Sequence, residues 1–306
     1  METLTHLWEK PSAKEMVMIA GWRQWADAGA ISSTLPEYLI EQTNARQIGS
    51  IPDNGYYLFQ LPATHHLLRP VIKLEDGYRQ SMEVKQNDVY YAGNEEKGVI
   101  IFLGDEPHLN VDKYAGAFFQ LIHTLQIKRV VAVGGVYGPV PYDKARDISC
   151  IYSDPEMKAE LEQYAIRFSN YEGGATIGSY LADKAEREKV PFLALYAFVP
   201  AYNFAESGAV TQGVQIEEDY KAWYDLMRRI NRFLGLSLSL ADLETEALKL
   251  IDTMDEQLAA LNDKMPQLNV NNYLENLNQE FTERPFESLD DVWEDELRDL
   301  FKDLDD

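Results

Sequence analysis

The sequence predicts an α/β protein built on a mostly parallel central sheet, with an acidic helical extension at its C-terminal end. Three observations carry this reading. Gly98 to Gly104 (Gly-Val-Ile-Ile-Phe-Leu-Gly) is apolar on both faces, as a strand is when helices cover both sides of a parallel sheet. Strand-like and helix-like patterns alternate through roughly the first 200 residues. From Ser239 the pattern changes, and apolar residues recur at intervals of seven in an acidic background.

Taken in order, Met16 to Ala20 is a first strand ending at Gly21. A helical pattern begins at Asp27, with Ile31, Leu35, Tyr38 and Leu39 on one face. Asp27 is a candidate N-cap, and Pro36 perturbs the helix unless its true start is later. Arg46 to Ile51, Tyr56 to Leu61, Val71 to Leu74 and Asp88 to Ala92 read as short strands of a small antiparallel excursion. Tyr114, Phe118, Leu121, Ile122 and Leu125 form the stripe of a helix that feeds the strand opening at Arg129. Pro155 to Phe168 and Ile177 to Glu188 read as helices, and Phe192 to Val199 as a strand. An amphipathic helix carrying Tyr220, Trp223, Met227, Ile230 and Leu234 is closed by Gly235.

The body is expected to span residues 1–235 and the extension 236–306. In the extension, Leu240, Ala247, Met254 and Leu261, with Leu243 and Leu250, make a seam of three heptads, too few for a free coiled coil to be favoured over packing back on the body. Residues 264–272 read as a linker. A short helix with Tyr273, Leu277 and Phe281 comes next, and then a last one capped by Ser288 that carries Trp293, Leu297 and Phe301.

Charge excludes one class of partner. The 51 Asp and Glu against 28 Lys and Arg give −23, which repels a phosphate backbone, so nucleic-acid binding is not expected. Residues 236–306 hold 20 acids and 5 bases, net −15, leaving −8 for the rest. The single cysteine, Cys150, permits no internal disulfide and fits a reducing compartment. No secretory start and no bilayer-length apolar run is present, so a soluble, cytoplasmic protein without membrane contact is expected.

The stretch Arg129 to Asp147 is the focus of the candidate site. Val130 to Val133 is the strand, Gly134, Gly135 and Gly138 supply dihedral freedom, and Pro139 and Pro141 stiffen the loop. Such a loop at the C-terminal end of a central strand sits where ligand crevices form in α/β sheets. Gly134 and Gly135 could bring N–H groups to an anion, yet neither they nor Gly173-Gly174-Ala-Thr-Ile-Gly178 match a nucleotide fingerprint, so tight turning and close packing is the preferred reading. Lys144 and Arg146 either face an anionic ligand or pair with Asp143 and Asp147, the second being preferred. His65-His66 points to opposite faces of a strand and makes a poor metal pair. His108 and His123 are isolated, no Gly-x-Ser-x-Gly elbow occurs, and Cys150 reads as buried. No catalytic residue, metal or cofactor is therefore assigned. Trp22 and Trp25, at a strand-to-helix turn, read as core or subunit interface, and Trp293, Leu297 and Phe301 as docking residues.

At these residues the chain resembles the proteasome assembly chaperone two family over about residues 16 to 235. Gly21-Trp22 with Asp27-Ala28-Gly29, the proline loop Pro139-Val140-Pro141 and the strand end Pro200-Ala201-Tyr202 are similar to the family's motifs and stand in its order. Two departures stand out: Tyr142 occupies the place of the family's loop histidine, and Arg146 is displaced. The resemblance implies a phosphorylase-like three-layer α/β/α fold, an oligomeric assembly with a trimer among the states allowed, and a chaperone or scaffold role. It makes Gly21, Trp22, Asp27, Gly29, Gly134, Gly135, Pro139, Pro141, Tyr142, Arg146, Pro200 and Tyr202 the candidate contact residues. The family's docking tail is absent, since the chain ends Leu304-Asp305-Asp306. The expected function is that of a non-enzymatic, self-associating protein that binds another protein. The alternative is a small-molecule protein or enzyme holding a nucleoside- or phosphate-like ligand in the crevice above Val133.

Overall fold

The apolar runs of the sequence become the middle of a sheet. In a computed structural model the described residues are 4–23, 25–59, 69–204, 213–284 and 286. The strands are β1 (His6–Leu7), β2 (Glu15–Arg23), β3 (Arg46–Ser50), β4 (Val71–Glu75), β5 (Tyr78–Glu83), β6 (Asp88–Gly93), β7 (Lys97–Asp105), β8 (Arg129–Gly138), β9 (Ile148–Tyr152), β10 (Arg167–Phe168), β11 (Phe192–Asn203) and β12 (Gly213–Gln215). The helices are α1 (Thr34–Gln42), α2 (Val111–Thr124), α3 (Lys158–Leu161), α4 (Ile177–Glu188), α5 (Tyr220–Leu234), α6 (Ala241–Lys264) and α7 (Val270–Glu280). Ten strands form one sheet in the order β1-β3-β6-β7-β2-β8-β11-β9-β10, with β12 on β11. It is a mixed, mostly parallel central sheet with helices on both sides and further helices towards the C-terminus. β2 runs parallel to both β7 and β8, while β6, β3 and β1 are antiparallel at the margin.

The two faces arise from the period of two along β2. Met16, Met18, Ala20 and Trp22 enter one cluster with Phe118 and Leu121 of α2 and Leu181 of α4. Val17 and Ile19 are buried on the opposite face, the side on which α1 contacts β2 and β7. α1 starts at Thr34 with Pro36 in its first turn, where proline's missing N–H has no intrahelical partner to lose.

The described residues divide into two compact units. One is drawn from Met1–Val136, Cys150–Met157 and Ser169–Tyr196, the other from Tyr137–Ser149, Lys158–Phe168 and Ala197–Asp306. In the second unit α6 packs on α5, burying Leu243, Ala247, Met254 and Leu258. The heptad seam is thus a packing face, with Leu258 taking a place the sequence pattern did not assign. The linker 264–272 is shorter than expected: a 3-10 turn at Pro266–Leu268 leads directly into α7.

Four expectations are corrected. β8 continues through the glycines to Gly138, so these residues are strand rather than loop. Pro155–Phe168 is a 3-10 turn, one turn of α3, a second 3-10 turn and β10, because Ala165 at φ 49° ends the helical path. Tyr56 to Phe59 is irregular, with the Tyr56 carbonyl accepting from the N–H groups of His108 and Leu109 instead of from a strand. The strand that opens at Phe192 runs past Val199 to Asn203, taking Pro200 and Tyr202 into β11. His65 and His66 lie outside the described residues, as do Ser288, Trp293, Leu297 and Phe301. Among the described residues no helix is long and apolar enough to cross a membrane.

Candidate functional site

The residues singled out in the sequence fall into two groups, one in each unit. In the first unit they are Gly21, Trp22, Asp27, Gly29, Gly134 and Gly135, at the C-terminal ends of β2 and β8. Their role is steric. A Cβ on Gly21 would stand 2.1 Å from the Ser32 carbonyl oxygen, and one on Gly135 would stand 2.0 Å from that of Ala28. The two glycines clear a path for residues 28–32 across neighbouring strands. That path is tied down on all sides: Asp27 Oδ1 accepts from the N–H groups of Ser32 (2.8 Å) and Ser33 (2.9 Å), Ser32 Oγ accepts from Trp22 N–H, and Gly135 N–H donates to the Ala26 carbonyl at 2.7 Å. Gly29, at φ 65°, makes the bend. Burial holds the Asp27 carboxyl above its ordinary value against the pull of those donors.

Trp22 is a core residue. Its indole N–H donates to Tyr114 Oη at 2.8 Å, and Tyr114 donates to Asn87 Oδ1 at 2.9 Å, a buried chain that also receives Tyr57 Oη. Burial pushes the Tyr114 phenol well above its usual range, so it stays a neutral donor.

Gly134 serves Tyr196. A Cβ there would meet the Tyr196 ring at 2.8 Å, and one on Gly178 would meet its hydroxyl at the same distance. Tyr196 Oη lies 2.6 Å from Thr176 Oγ1, the N-cap of α4, which accepts from Ser179 N–H. The start of α4 is also met by Glu106, whose Oε1 accepts from Ile177 N–H at 2.9 Å and whose carboxylate is bound by the N–H of Trp25 as well. The positive end of a helix at the C-terminal edge of a parallel sheet, where an anionic ligand is commonly received, is here occupied by the chain's own carboxylate. Burial raises the Glu106 carboxyl above its ordinary value, with both N–H groups opposing.

Glu106 leaves Trp25 in an unusual position. The main chain of Trp25 is anchored while its side chain is 65% exposed, and Leu109, Val136 and Tyr171 are exposed apolar residues of the same unit. Trp25 adjoins Ala26, whose carbonyl accepts from Gly135 N–H, and Val136 is the next residue along β8, so the two stand beside one main-chain link. The sequence shows both tryptophans but no sign of which one is buried, because Glu106 bears no motif.

In the second unit the group is Pro139, Pro141, Tyr142, Arg146, Pro200 and Tyr202. Arg146 does not pair with Asp143 or Asp147, which pair instead with Lys144 (3.6 Å) and Arg167 (3.1 Å). Its guanidinium is fully enclosed. Nε and Nη2 donate to the two oxygens of Asp219 at 2.8 and 3.1 Å, and Nη1 donates to the carbonyls of Pro141, Tyr142 and Lys144. The loop is thereby wrapped around its own arginine, and Asp219 holds both that arginine and the first turn of α5 through Ala222 N–H. Tyr202 Oη donates to Val140 O at 2.8 Å, and Tyr142 bonds Asp255 of α6. Pro200 is buried in β11, whereas Pro139 is exposed and borders a cavity of about 370 Å³ with Tyr273, Asn276, Leu277, Glu280 and Phe281. Cys150 is buried, and burial pushes its thiol up to about 12. Among the described residues no group of three or more His, Cys, Asp and Glu side chains is placed to hold a metal.

Comparison with known proteins places this architecture. Among solved structures, a proteasome-assembly chaperone homologue of Mycobacterium tuberculosis superposes with a TM-score of 0.68 at 23% identity, covering 79% of this chain and 94% of its own. A PAC2 family protein of Streptomyces avermitilis gives 0.67 at 23%, covering 85% and 99%. An archaeal proteasome activator of Pyrococcus furiosus gives 0.58 at 14%, covering 83% and 99%. At these identities the likeness is one of fold. No curated protein is a significant match. The family model described as PAC2 family matches residues 22–258, from Trp22 on β2 through the packed length of α6. With most of the chain inside that match and the same fold in the solved relatives, the chain belongs to the PAC2 family.

Proposed function

We propose that the chain is a non-enzymatic protein-binding factor of chaperone-like character, which self-associates in the cytoplasm and engages a second protein through the edge of the sheet at Trp25. Family membership and the likeness to a proteasome-assembly chaperone homologue support the chaperone-like character. The observation that carries the binding edge is Trp25: an indole 65% in solvent on a backbone anchored by Glu106. A large side chain on pre-organised main chain loses little freedom on docking, which is why exposed aromatic anchors dominate protein interfaces. The charge of −23 favours a partner with a basic surface. The small-molecule alternative receives less support, since Glu106 fills the helix end that a phosphate would use and Arg146 is enclosed by its own loop.

The test is affinity co-purification from the native cell, with the wild-type chain beside Trp25→Ala. The expected result is one protein retained by wild type and at least tenfold depleted by the variant, with the melting temperature unchanged. Equal retention by both would remove Trp25 from the interface. A thermal shift of several degrees with inorganic phosphate or a nucleoside would favour the alternative.

A further inference from the structure

α7 ends at Glu280, and from Phe281, at φ −81° and ψ 130°, the chain leaves the helix extended. Thr282, Glu283 and Arg284 are exposed and belong to no helix or strand. Two side chains fasten this strap. Glu283 Oε1 accepts from the Ala145 N–H at 2.8 Å, on the loop around Arg146 and 138 residues earlier in the chain. Phe286 is 4% exposed, its ring stacked on Tyr164 at 6.0 Å and faced by the guanidinium groups of Arg229 at 5.0 Å and Arg228 at 5.7 Å. A ring set against an aromatic and two cations is held by dispersion and by its own quadrupole. A segment with one buried side chain and an exposed backbone can lift while the rest of the fold stays closed.

The surface beneath is built by other elements. Arg229 donates to the carbonyls of Tyr164 (2.9 Å) and Asp225 (2.8 Å), and the loop that presents Ala145 is closed by Asp219 on the Arg146 guanidinium and by Asp225 on the Arg146 N–H. It offers a main-chain donor for a carboxylate and, at the span of three extended residues, a slot for an aromatic ring. The family match ends at residue 258, so the loop lies inside it and the strap beyond it. We infer that this surface is a docking site for an extended peptide bearing a carboxylate and, three residues on, an aromatic ring, and that residues 281–286 occupy it as a built-in competitor. The inference goes beyond the Trp25 edge, which belongs to the other unit, and its test is independent of that edge.

The experiment uses the full chain in two forms, wild type and the double variant Glu283→Gln, Phe286→Ala. The probe is a labelled synthetic peptide of residues 280–287, titrated to millimolar concentration by fluorescence anisotropy. The double variant is expected to bind it at least tenfold more tightly than wild type, whose own strap competes at the high effective concentration of a tethered ligand. Peptides carrying Glu283→Gln or Phe286→Ala should each bind the double variant at least tenfold more weakly. Equal binding by the two protein forms overturns the competitor. No binding by the double variant, or binding indifferent to both peptide substitutions, overturns the site. Hydrogen exchange on wild type, read by NMR, decides the matter if the double variant misfolds. The Ala145 amide, bonded to the strap, should exchange at least a hundredfold faster than the Arg146 amide, bonded to Asp225. Equal rates would mean that the strap lifts only when the unit unfolds, and would overturn the inference.

Discussion

The Glu106 carboxylate accepts the N–H of Ile177 at 2.9 Å, so the first turn of α4 carries its counter-charge from another element of the same unit. The carboxyl is raised above its ordinary value because burial outweighs the donors that bind it. A carboxyl whose folded-state value exceeds its unfolded one binds protons more tightly when native. Its contribution to stability is greatest at low pH and falls as pH rises from the unfolded value, about 4.3, through the folded one. Glu106→Gln keeps an acceptor for Ile177 and removes the titration. Urea denaturation of both forms between pH 4 and 8 should show wild type losing stability relative to the variant as pH rises through that window. Parallel curves would show that Glu106 titrates alike in both states.

Arg146 and Asp219 have no side-chain exposure, and Asp219 also caps α5. Breaking such a pair from one side leaves a buried charge uncompensated. Arg146→Ala and Asp219→Ala are each expected to lower stability by about 3–5 kcal/mol. The double variant should lose less than the sum, as a double-mutant cycle in urea would measure.

The glycines can be ranked by space. Gly135→Ala drives a methyl to 2.0 Å from a backbone oxygen, whereas at Gly174 nothing lies within 4 Å. Gly135→Ala is expected to lower stability by about 1–3 kcal/mol or more, and Gly174→Ala to leave it within about 0.5 kcal/mol. Melting temperatures of the two variants decide this.

Cys150 is buried with its thiol pushed up to about 12, so almost no thiolate exists at neutral pH and none is accessible. Native protein should resist a disulfide reagent for as long as it stays folded. Labelling should track the unfolding rate on adding urea. Fast stoichiometric labelling of the native chain would contradict the burial.

Much of the sheet is legible in the sequence because its signals are local. Gly98 to Gly104 is apolar throughout and lies within β7, and the stripes of α2, α5 and α7 can be read from spacing alone. The illegible part is tertiary. The sequence presents Gly134 and Gly135 as sources of torsional freedom, yet they are strand residues whose missing side chains make room for Tyr196 and the Ala28 carbonyl, neighbours a sequence does not display. The helix expected over Pro155–Phe168 gives way where Arg229 takes the Tyr164 carbonyl at 2.9 Å, a partner 65 residues away. Arg146 has two acids within three residues and pairs with one 73 residues distant, since enclosure favours the partner that can bind it bidentately. The Asp76-Gly77 hairpin signal is present in the sequence, but the weak alternation on either side of it leaves β5 without an apolar pattern of its own.

That distance of 73 residues has a meaning in time as well as in space. A ribosome adding about 5–20 residues per second delivers Asp219 roughly 4 to 15 s after Arg146. Through that interval the proline loop has its central cation but no carboxylate to close on, and its carbonyls remain hydrated. The enclosed centre of the second unit thus sets late, and α5, whose first turn Asp219 caps, arrives together with the counter-ion that sets it.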